Sequence, residues 1–290
     1  MELYNPSTIR MIKARYGFKF SKSLGQNFIT EKSVIDGIVE GAMLTKEDLV
    51  IEIGPGIGVL TAGACEAAGK VVSVELDPNL IQVLTDTLAQ YDNVKIVHND
   101  ILKTDLPALI AEEKGDLRHV KIIGNLPYYI TTPILMKLLQ SGVPAESITV
   151  MMQKEVADRI CAGAGTKAYG ALSVAVQYYC AVTKVEDVPK EVFMPQPKVD
   201  STVIRLDLRD EPAVLVQDEK IFFRTVKAGF SQRRKTLLNS LQSAGLSKAA
   251  VQACLLKADI DPKRRAETLS LEEMARLADQ ITEMEKKESH

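Results

Sequence analysis

The stretch LVIEIGPGIG, residues 49–58, decides the fold class of this 290-residue chain. The run LVIEI is typical of a buried strand, and it leads into the glycine turn Gly54-Pro55-Gly56-Ile57-Gly58 and then into an apolar helical pattern. A strand, a glycine turn and a helix in this order open the nucleotide-binding α/β folds. Glycine is needed here because the backbone must turn sharply and approach a ligand without a Cβ atom in the way.

Outward from this turn, short apolar runs alternate with longer helical patterns. The runs are LVIEI, KVVSVEL, VKIVH, VKIIGN and SITVMM, and the helical patterns include residues 78–90 and 132–140. Such alternation predicts an α/β fold with a largely parallel sheet and helices on both of its faces.

The character of the chain changes near residue 210. Two further β-rich runs, AVTKVEDV and STVIRLDL, precede this point, and from Asp218 onward the pattern is helical, with breaks at Gly245 and at Asp261-Pro262. We therefore predict an α/β domain with a basic N-terminal segment over residues 1–210 and a small all-helical domain over residues 211–290.

Composition excludes several other classes of protein. The 36 basic and 38 acidic side chains give a net charge of −2, so any nucleic-acid surface must come from local clustering. The four cysteines lie far apart with no CxxC pair, and the three histidines have no metal-ligand spacing, so we expect no metal site. We also expect no membrane segment and no signal peptide, which together with the cysteine usage favours the cytoplasm.

The glycine turn and two acidic strand ends predict a nucleoside cofactor. The glycine spacing of the turn is GxGxG rather than the GxGxxG of dinucleotide sites, and Pro55 lacks the backbone N–H that a phosphate would use. The turn with Gly54 and Gly56 therefore favours S-adenosylmethionine over NAD. Glu75 ends the next strand, where a ribose-hydroxyl acceptor is needed, and Asp100 ends a third, where it could accept from the amine of an adenine ring. Taken singly, each has an ordinary alternative as a tight turn, a solvated strand end or a helix cap.

The fourth strand ends in the segment Asn125-Leu126-Pro127-Tyr128, at the same predicted sheet edge. An aromatic amine such as N6 of adenine is a poor nucleophile because its lone pair is delocalised into the ring. The side-chain oxygen of Asn125 and the carbonyl of Pro127 could each accept one amine hydrogen, and Tyr128 could stack on the base. A turn with an asparagine cap is the structural alternative. Phe193 is a candidate second aromatic wall, or equally a core phenylalanine in a proline-rich crossover.

Six motifs together closely resemble the ribosomal RNA adenine N6,N6-dimethyltransferases over nearly the whole chain. They are SLGQNF at 23–28, EIGPGIGVLT at 52–61, VELD at 74–77, NLPY at 125–128, FMPQPKVDS at 193–201 and FSQRRK at 230–235. The resemblance implies the Rossmann-like sheet of class I methyltransferases, S-adenosylmethionine held by Asn27, Ile29, Gly54, Glu75, Asp100 and Asn125, and Phe193 as the partner of Tyr128.

Three of these features, the KSLGQNF opening, the FxPxPKVDS run and the sequence FSQRRKTLLNSL, resemble the housekeeping branch of that family. This resemblance implies that the substrate is a pair of adjacent adenines in a hairpin near the 3′ end of small-subunit (16S) rRNA, each methylated twice in an assembling 30S subunit. Nothing in the sequence requires more than a monomer.

Three local basic clusters are candidate contacts for the rRNA backbone. They are Arg10, Lys13, Arg15, Lys19 and Lys22; Arg233, Arg234 and Lys235; and Lys263, Arg264 and Arg265. We favour the second cluster, which we predict to lie within a helix, although a solvated charged face is the alternative for each.

Three rival functions remain open at this stage. A large-subunit rRNA methylase of the same fold is disfavoured by the C-terminal helix sequence, and a non-catalytic RNA-binding assembly factor is disfavoured by the intact NLPY segment. A nicotinamide-dependent oxidoreductase is disfavoured by the GxGxG spacing.

Overall fold

A computed structural model describes residues 2–18, 25–243 and 245–288. Lys19, Lys22 and the first two residues of the SLGQNF motif lie outside this range. The described strands are β1 Phe28–Ile29, β2 Asp48–Ile53, β3 Lys70–Glu75, β4 Val94–His98, β5 His119–Asn125, β6 Ser147–Gln153, β7 Cys180–Val188, β8 Phe193–Met194 and β9 Ser201–Leu208. The described α-helices are α1 Pro6–Tyr16, α2 Lys32–Gly41, α3 Val59–Ala67, α4 Pro78–Thr87, α5 Leu106–Glu113, α6 Thr131–Gln140, α7 Lys154–Cys161, α8 Ala171–Tyr179, α9 Glu219–Phe230, α10 Leu237–Ser243, α11 Lys248–Lys257 and α12 Leu271–Glu288.

The main sheet has seven strands in the order β4-β3-β2-β5-β6-β9-β7. The strands β4, β3, β2, β5 and β6 are parallel neighbours, and β9 runs antiparallel to β6. The predicted α/β fold with a largely parallel sheet is confirmed. Because parallel strands all end at one edge, β2, β3, β4 and β5 deliver their following loops to the same side of the sheet.

The central strands β2 and β5 are buried, and most of their side chains are apolar. All six residues of β2 are buried, and five of the seven residues of β5 are buried as well. Two of the helices that follow begin at sequence-encoded caps. The carboxylate of Asp77 accepts from the backbone N–H of Asn79 at the start of α4, with Pro78 in the first turn, and Asp105 accepts from the backbone N–H of Ala108 at the start of α5. These caps fix where α4 and α5 begin after their strands.

The chain divides into two compact units. The first comprises residues 1–157 and 182–208, and its hydrophobic core includes Phe28, Ile123 and Val203. The second comprises residues 158–181 and 209–290. The chain passes between the units three times, and the last passage, between residues 208 and 209, lies next to the predicted boundary at residue 210. Residues 158–181, which the prediction assigned to the sheet domain, group with the helical unit.

The reason for this difference is the packing of α8. Tyr178 on this helix is buried and stacks on Phe222 of α9, with ring centroids 5.0 Å apart, and Val174 lies in the same core cluster. That cluster continues through α10, α11 and α12. The apolar face of α8 is thus covered by helices that follow it by more than 40 residues, which no local pattern in the sequence reveals.

The described residues contain neither a helix suited to cross a membrane nor a cluster of side chains suited to a metal ion. Across residues 2–18, 25–243 and 245–288, no helix is both long and apolar enough to cross a membrane. The same ranges contain no group of three or more His, Cys, Asp or Glu side chains arranged to hold a metal ion.

Candidate active site

A cleft opens at the edge of the sheet where β2, β3 and β5 end, with a free volume of about 950 Å³ out to its solvent opening. All seven residues predicted to hold the cofactor line it. They are Asn27, Ile29, Gly54, Gly56, Glu75, Asp100 and Asn125. The cleft lies wholly within the first unit.

The glycine turn forms one wall of this cleft. Gly54 has φ +69° and Gly56 has φ +62°, conformations that side-chain-bearing residues rarely adopt. A Cβ atom on Gly54 would meet no atom within 4 Å, whereas one on Gly56 would come within 2.7 Å of the Phe28 ring. Gly54 therefore leaves space for a ligand, and Gly56 lets the strand β1 pack against the turn.

Glu75 occupies the end of β3 and is 6% exposed. One carboxylate oxygen accepts from the backbone N–H of Asp77 at 2.8 Å and the other from Gly56 at 3.3 Å. Burial raises the pKa of Glu75, against the lowering effect of these backbone hydrogen bonds. The carboxylate is thereby joined to the glycine turn and presents acceptor oxygens to the cleft, which suits a pair of ribose hydroxyls.

Asp100 lies on the turn after β4, where its role is partly structural. One carboxylate oxygen accepts from the backbone N–H of Leu102 at 2.9 Å, and the other lies 4.0 Å from the Lys103 ammonium group. Two apolar residues, Leu76 and Ile101, line the same cleft; Ile101 is buried and Leu76 is 45% exposed. Asp100 thus combines a turn cap with a place in a partly apolar cleft.

Asn125 ends β5 and is fixed by the N-terminal segment of the chain. Its amide nitrogen donates to the main-chain carbonyl of Asn27 at 2.9 Å, and the amide of Asn27 donates in turn to the carbonyl of Gly25 at 3.1 Å. Because a carbonyl only accepts, the Nδ2 atom of Asn125 must face Asn27. The Oδ1 atom is then the acceptor that Asn125 offers at the cleft.

Pro127 differs from the prediction. Its carbonyl oxygen accepts from the backbone N–H of Ile130 at 3.1 Å and from the Thr131 hydroxyl at 3.0 Å. Both lone pairs are used at the start of α6, so in this structure the carbonyl stabilises the turn and is not an open acceptor. Sequence reasoning missed this because a threonine four residues later is not a recognisable signal for a capped carbonyl.

The two predicted aromatic walls occupy different environments. Tyr128 is half-buried, and its hydroxyl lies 2.7 Å from Oγ of Ser201. Phe193 is only 4% exposed and belongs to the hydrophobic core of the first unit, where β8 pairs with β1 so that Phe193 faces Ile29. Neither ring is among the cleft-lining residues, and the structure places Phe193 in the core position that the sequence left as its alternative.

Tyr129, Gln26 and Glu52 are among the residues of the cleft that sequence reasoning missed. Tyr129 lines it and is 57% exposed, and Gln26 lines it while donating to the Asp77 carboxylate at 2.9 Å. Glu52 lines it from within β2 at 1% exposure. The EIGPG motif contains Glu52, but a carboxylate inside an apolar run offered no other sign of its position.

The basic sequence Arg233-Arg234-Lys235 lies in the second unit, in a turn and not in a helix. Helix α9 ends at Phe230, where the hydroxyl and the backbone N–H of Ser231 both donate to the carbonyl of Ala228, and α10 begins only at Leu237. The predicted continuous helix over FSQRRKTLLNSL is therefore wrong. Arg233 pairs with Glu267 at 3.5 Å and also donates to the Lys167 carbonyl, whereas Arg234 and Lys235 are exposed.

The other two basic clusters also contain side chains that interact within the protein. In the third cluster, Arg264 forms a two-pronged ion pair with Glu273 at 2.5 and 2.9 Å. Such a fork holds the second unit together and is not available to a phosphate. In the first cluster, Arg10, Lys13 and Arg15 lie on α1, and the guanidinium of Arg15 lies 5.3 Å from the centre of the Tyr16 ring.

The chain resembles proteins of known name over nearly its whole length. A protein of Alkaliphilus oremlandii named ribosomal RNA small subunit methyltransferase A is 52% identical over 279 residues, which cover 96% of this chain and 97% of that relative. Among solved structures, a dimethyladenosine transferase from Plasmodium falciparum superimposes with a TM-score of 0.73 at 25% identity, covering 90% of this chain and 98% of its own. The structure of the 23S rRNA methyltransferase ErmE superimposes with a TM-score of 0.66 at 28% identity, and the match covers 88% of this chain and 99% of ErmE.

The family model described as ribosomal RNA adenine dimethylase matches residues 17–283, a range that includes the cleft and most of the helical unit. The family that the sequence motifs predicted is thus confirmed. This chain belongs to the ribosomal RNA adenine dimethylase family.

Proposed function

We propose that this protein transfers methyl groups from S-adenosylmethionine to N6 of two adjacent adenines in a hairpin near the 3′ end of small-subunit (16S) rRNA, giving N6,N6-dimethyladenosine. The observation that carries the proposal is the fixed amide of Asn125 at the cleft edge, with its nitrogen on the Asn27 carbonyl at 2.9 Å. An amide oriented in this way offers an acceptor to an amine hydrogen before any substrate arrives, which is the preorganisation that catalysis requires.

The cleft fits S-adenosylmethionine by the chemistry of its lining. Gly54 leaves a space that a Cβ atom would fill, Glu75 supplies acceptors for ribose hydroxyls, and Leu76 and Ile101 supply apolar faces for an adenine ring beside Asp100. Asn27 and Ile29 close the N-terminal side. When bound, the cofactor supplies an electrophilic methyl group carried on a sulfonium.

The residues after β5 would hold and orient the target base. The Oδ1 atom of Asn125 would accept one N6 hydrogen, which favours a pyramidal nitrogen whose lone pair is less delocalised into the ring and faces the cofactor side of the cleft. For the carbonyl of Pro127 to accept the second hydrogen, one of its two hydrogen bonds within the turn must open. Tyr128, with Phe193 if it is uncovered from the core, would stack on the flipped base.

No strong general base is needed for this reaction. The methylated nitrogen is cationic and acidic, so it loses a proton readily to solvent. Across the described ranges no histidine lines the cleft, which is consistent with such chemistry.

Relatives about half identical to this chain carry the name small subunit methyltransferase A, and they support the small-subunit substrate over the large-subunit alternative. We also propose that the protein acts as a monomer in the cytoplasm on an assembling 30S subunit, and that the helical unit docks on folded rRNA, which is recognised mostly by shape. The turn bearing Arg234 and Lys235 is the part of that unit best placed for phosphate contacts.

Methyl transfer from labelled cofactor tests this proposal. The protein is incubated with methyl-labelled S-adenosylmethionine and either undermethylated small subunits or large-subunit RNA, and the RNA is then digested to nucleosides. We expect labelled N6,N6-dimethyladenosine from the small subunits alone. Label in the large-subunit RNA would favour the rival branch of the family, and no label in either RNA would refute the enzymatic function.

The role of Asn125 is tested by Asn125→Ala. We expect kcat to fall at least about 100-fold, because the substitution removes the fixed side-chain acceptor that we assign to the amine. Cofactor affinity measured by calorimetry should change only a few-fold, and the exposed Asn239→Ala on α10 should leave kcat unchanged. Retention of more than a tenth of the wild-type rate by Asn125→Ala would contradict the assigned role.

A further inference from the structure

The hydroxyl of Tyr128 is held at its far end by a residue from a distant part of the chain. It lies 2.7 Å from Oγ of Ser201, 73 positions later in the sequence. Ser201 is fully buried and is the first residue of β9. Burial raises the pKa of Tyr128, so the phenol keeps its proton and the pair remains a neutral hydrogen bond at physiological pH.

The position of Ser201 is fixed by the sheet itself. Ser201 pairs with Gln153 at the end of β6, and one step further the carbonyl of Asp200 accepts from the backbone N–H of Lys154 at 3.0 Å. On its other side, the hydroxyl of Thr202 donates to the Asp187 carboxylate at 2.7 Å. Both neighbours of Ser201 are therefore bonded, so its main chain has little freedom to move, and its hydroxyl lies in a fully buried position.

The same strand β6 also holds the segment that carries Tyr128. The backbone N–H of Leu126 donates to the carbonyl of Met151 at 3.0 Å, and Asn125 is in register with Met151. Strand β6 thus fixes the main chain beside Tyr128 through the hydrogen bond from Leu126 to Met151. The same strand fixes the partner of the Tyr128 hydroxyl, because Gln153 pairs with Ser201. The ring is held at both ends by a single rigid element.

We propose that Ser201 is a positioning residue that sets the plane of the Tyr128 ring for the target base. The inference rests on the proposed function, because it concerns the ring that the base would stack on. A tyrosine side chain has two freely rotating bonds, and a hydrogen bond at the hydroxyl restricts both. Fixing them before the base arrives lowers the entropic cost of forming the stack in the reactive geometry.

A double-mutant cycle on turnover tests the proposal, with Tyr128→Phe and Ser201→Ala as the single variants. Each removes one partner of the hydrogen bond and leaves the ring and the strand in place. We expect each to lower kcat about fivefold to tenfold, the range set by one hydrogen bond, with the KM for S-adenosylmethionine within about twofold of wild type. The double variant should match either single variant within about twofold, since both remove the same interaction.

Two further variants separate positioning from a general loss of structure. Ser201→Thr keeps the hydroxyl and should restore most of the rate that Ser201→Ala loses. Tyr91→Phe removes a tyrosine hydroxyl that lies 3.1 Å from the Glu66 carboxylate, away from the cleft lining, and should leave kcat unchanged.

The outcomes distinguish this inference from the proposed function. An inactive wild-type enzyme refutes the proposed function, whereas an active wild type with single variants at full rate refutes the positioning role of Ser201 alone. A double variant whose loss equals the product of the two single losses also overturns it, because the two residues would then act independently.

Discussion

At the scale of single residues, Glu52 is a buried titratable group whose raised pKa couples stability to pH. It lies in β2 directly before the glycine turn, is 1% exposed, and accepts a hydrogen bond from the Ser73 hydroxyl at 2.8 Å. Burial raises the pKa of Glu52 from 4.5 to about 7, partly offset by that hydrogen bond. The carboxyl group is therefore largely protonated below neutral pH and charged at an energetic cost above it.

This shift predicts a pH-dependent effect of Glu52→Gln. Between about pH 4.5 and 7 the folded protein retains a proton that the unfolded chain has released, so the contribution of Glu52 to stability falls as pH rises through that window. The full shift corresponds to about 3 kcal/mol. We expect the free energy of unfolding of Glu52→Gln, measured by urea unfolding and expressed relative to wild type, to be about 2 kcal/mol higher at pH 8.5 than at pH 5.

An exposed carboxylate provides the control for that measurement. Glu211→Gln should change the free energy of unfolding by less than about 0.5 kcal/mol at both pH values. An equal effect of Glu52→Gln at pH 5 and pH 8.5 would show that Glu52 does not titrate in this window.

Single residues also show where sequence reasoning succeeds at the site and where it ends. Gly54, Glu75 and Asn125 follow strands that the sequence marks clearly, and parallel strands end at one edge, so their shared cleft could be predicted. Phe193 could not be placed, because its environment depends on the pairing of β8 with β1, an antiparallel contact between segments 165 residues apart. Which residues share the cleft thus follows from local patterns, whereas the burial of each aromatic ring follows from contacts between distant segments.

At the scale of elements, strands β2 and β5 are joined by a buried ion pair near their starts. The ammonium group of Lys121 lies 2.9 Å from the carboxylate of Asp48, with side-chain exposures of 9% and 0%, and it also donates to the Met43 carbonyl. The same carboxylate oxygen accepts from the backbone N–H of Thr45 at 2.6 Å. The pair ties the loop before β2 to the strand that carries Asn125.

Breaking this pair should destabilise the protein strongly. Lys121→Ala leaves the Asp48 carboxylate buried without its cation, and we expect a loss of about 3 kcal/mol in the free energy of unfolding by urea. The exposed pair of Lys32 with Asp36 is the matched comparison, and Lys32→Ala should cost less than about 0.5 kcal/mol. Similar losses for the two variants would show that the buried pair contributes no more than a surface one.

The turn between α9 and α10 is the second element with a testable role. Arg234 and Lys235 are exposed there, while Arg233 is paired with Glu267. If the turn contacts rRNA phosphates, replacing Arg234 and Lys235 by glutamine should reduce the slope of log Kd against log salt by about 1.5 to 2. Filter binding to small-subunit RNA at several salt concentrations measures this slope.

Arg233 provides the internal comparison for the same turn. Arg233→Gln removes the ion pair with Glu267 and should lower the melting temperature while changing the salt slope by less than about 1. A slope unchanged by the Arg234 and Lys235 substitutions would make the turn a solvated surface. The sequence predicted the basic cluster but not the turn, because no residue pattern indicates that α9 ends at Phe230, where the Ser231 hydroxyl donates to the carbonyl of Ala228.

At the scale of the whole molecule, the division into units explains why a simple boundary at residue 210 is insufficient. The change in composition there is real, and it matches the point where the chain passes from β9 into the helical unit. Helix α8, however, contributes to the helical core, with Tyr178 packed against both Phe222 and Phe223. The helical unit is therefore built from two separate stretches of chain, and a contiguous division assigns one of them to the wrong core.

This arrangement predicts the result of cutting the chain after residue 210. The truncated protein would keep α8 but lose α9 to α12, so the side chains of Val174 and Tyr178, which are 0% and 2% exposed, would lose the cover of their core cluster. We expect the truncated chain to bind 8-anilinonaphthalene-1-sulfonate and to self-associate in sedimentation experiments, because an uncovered apolar face promotes association. The full chain is the reference in both measurements, and a monomeric truncation with no increase in dye fluorescence would show that α8 does not depend on the helices after residue 210.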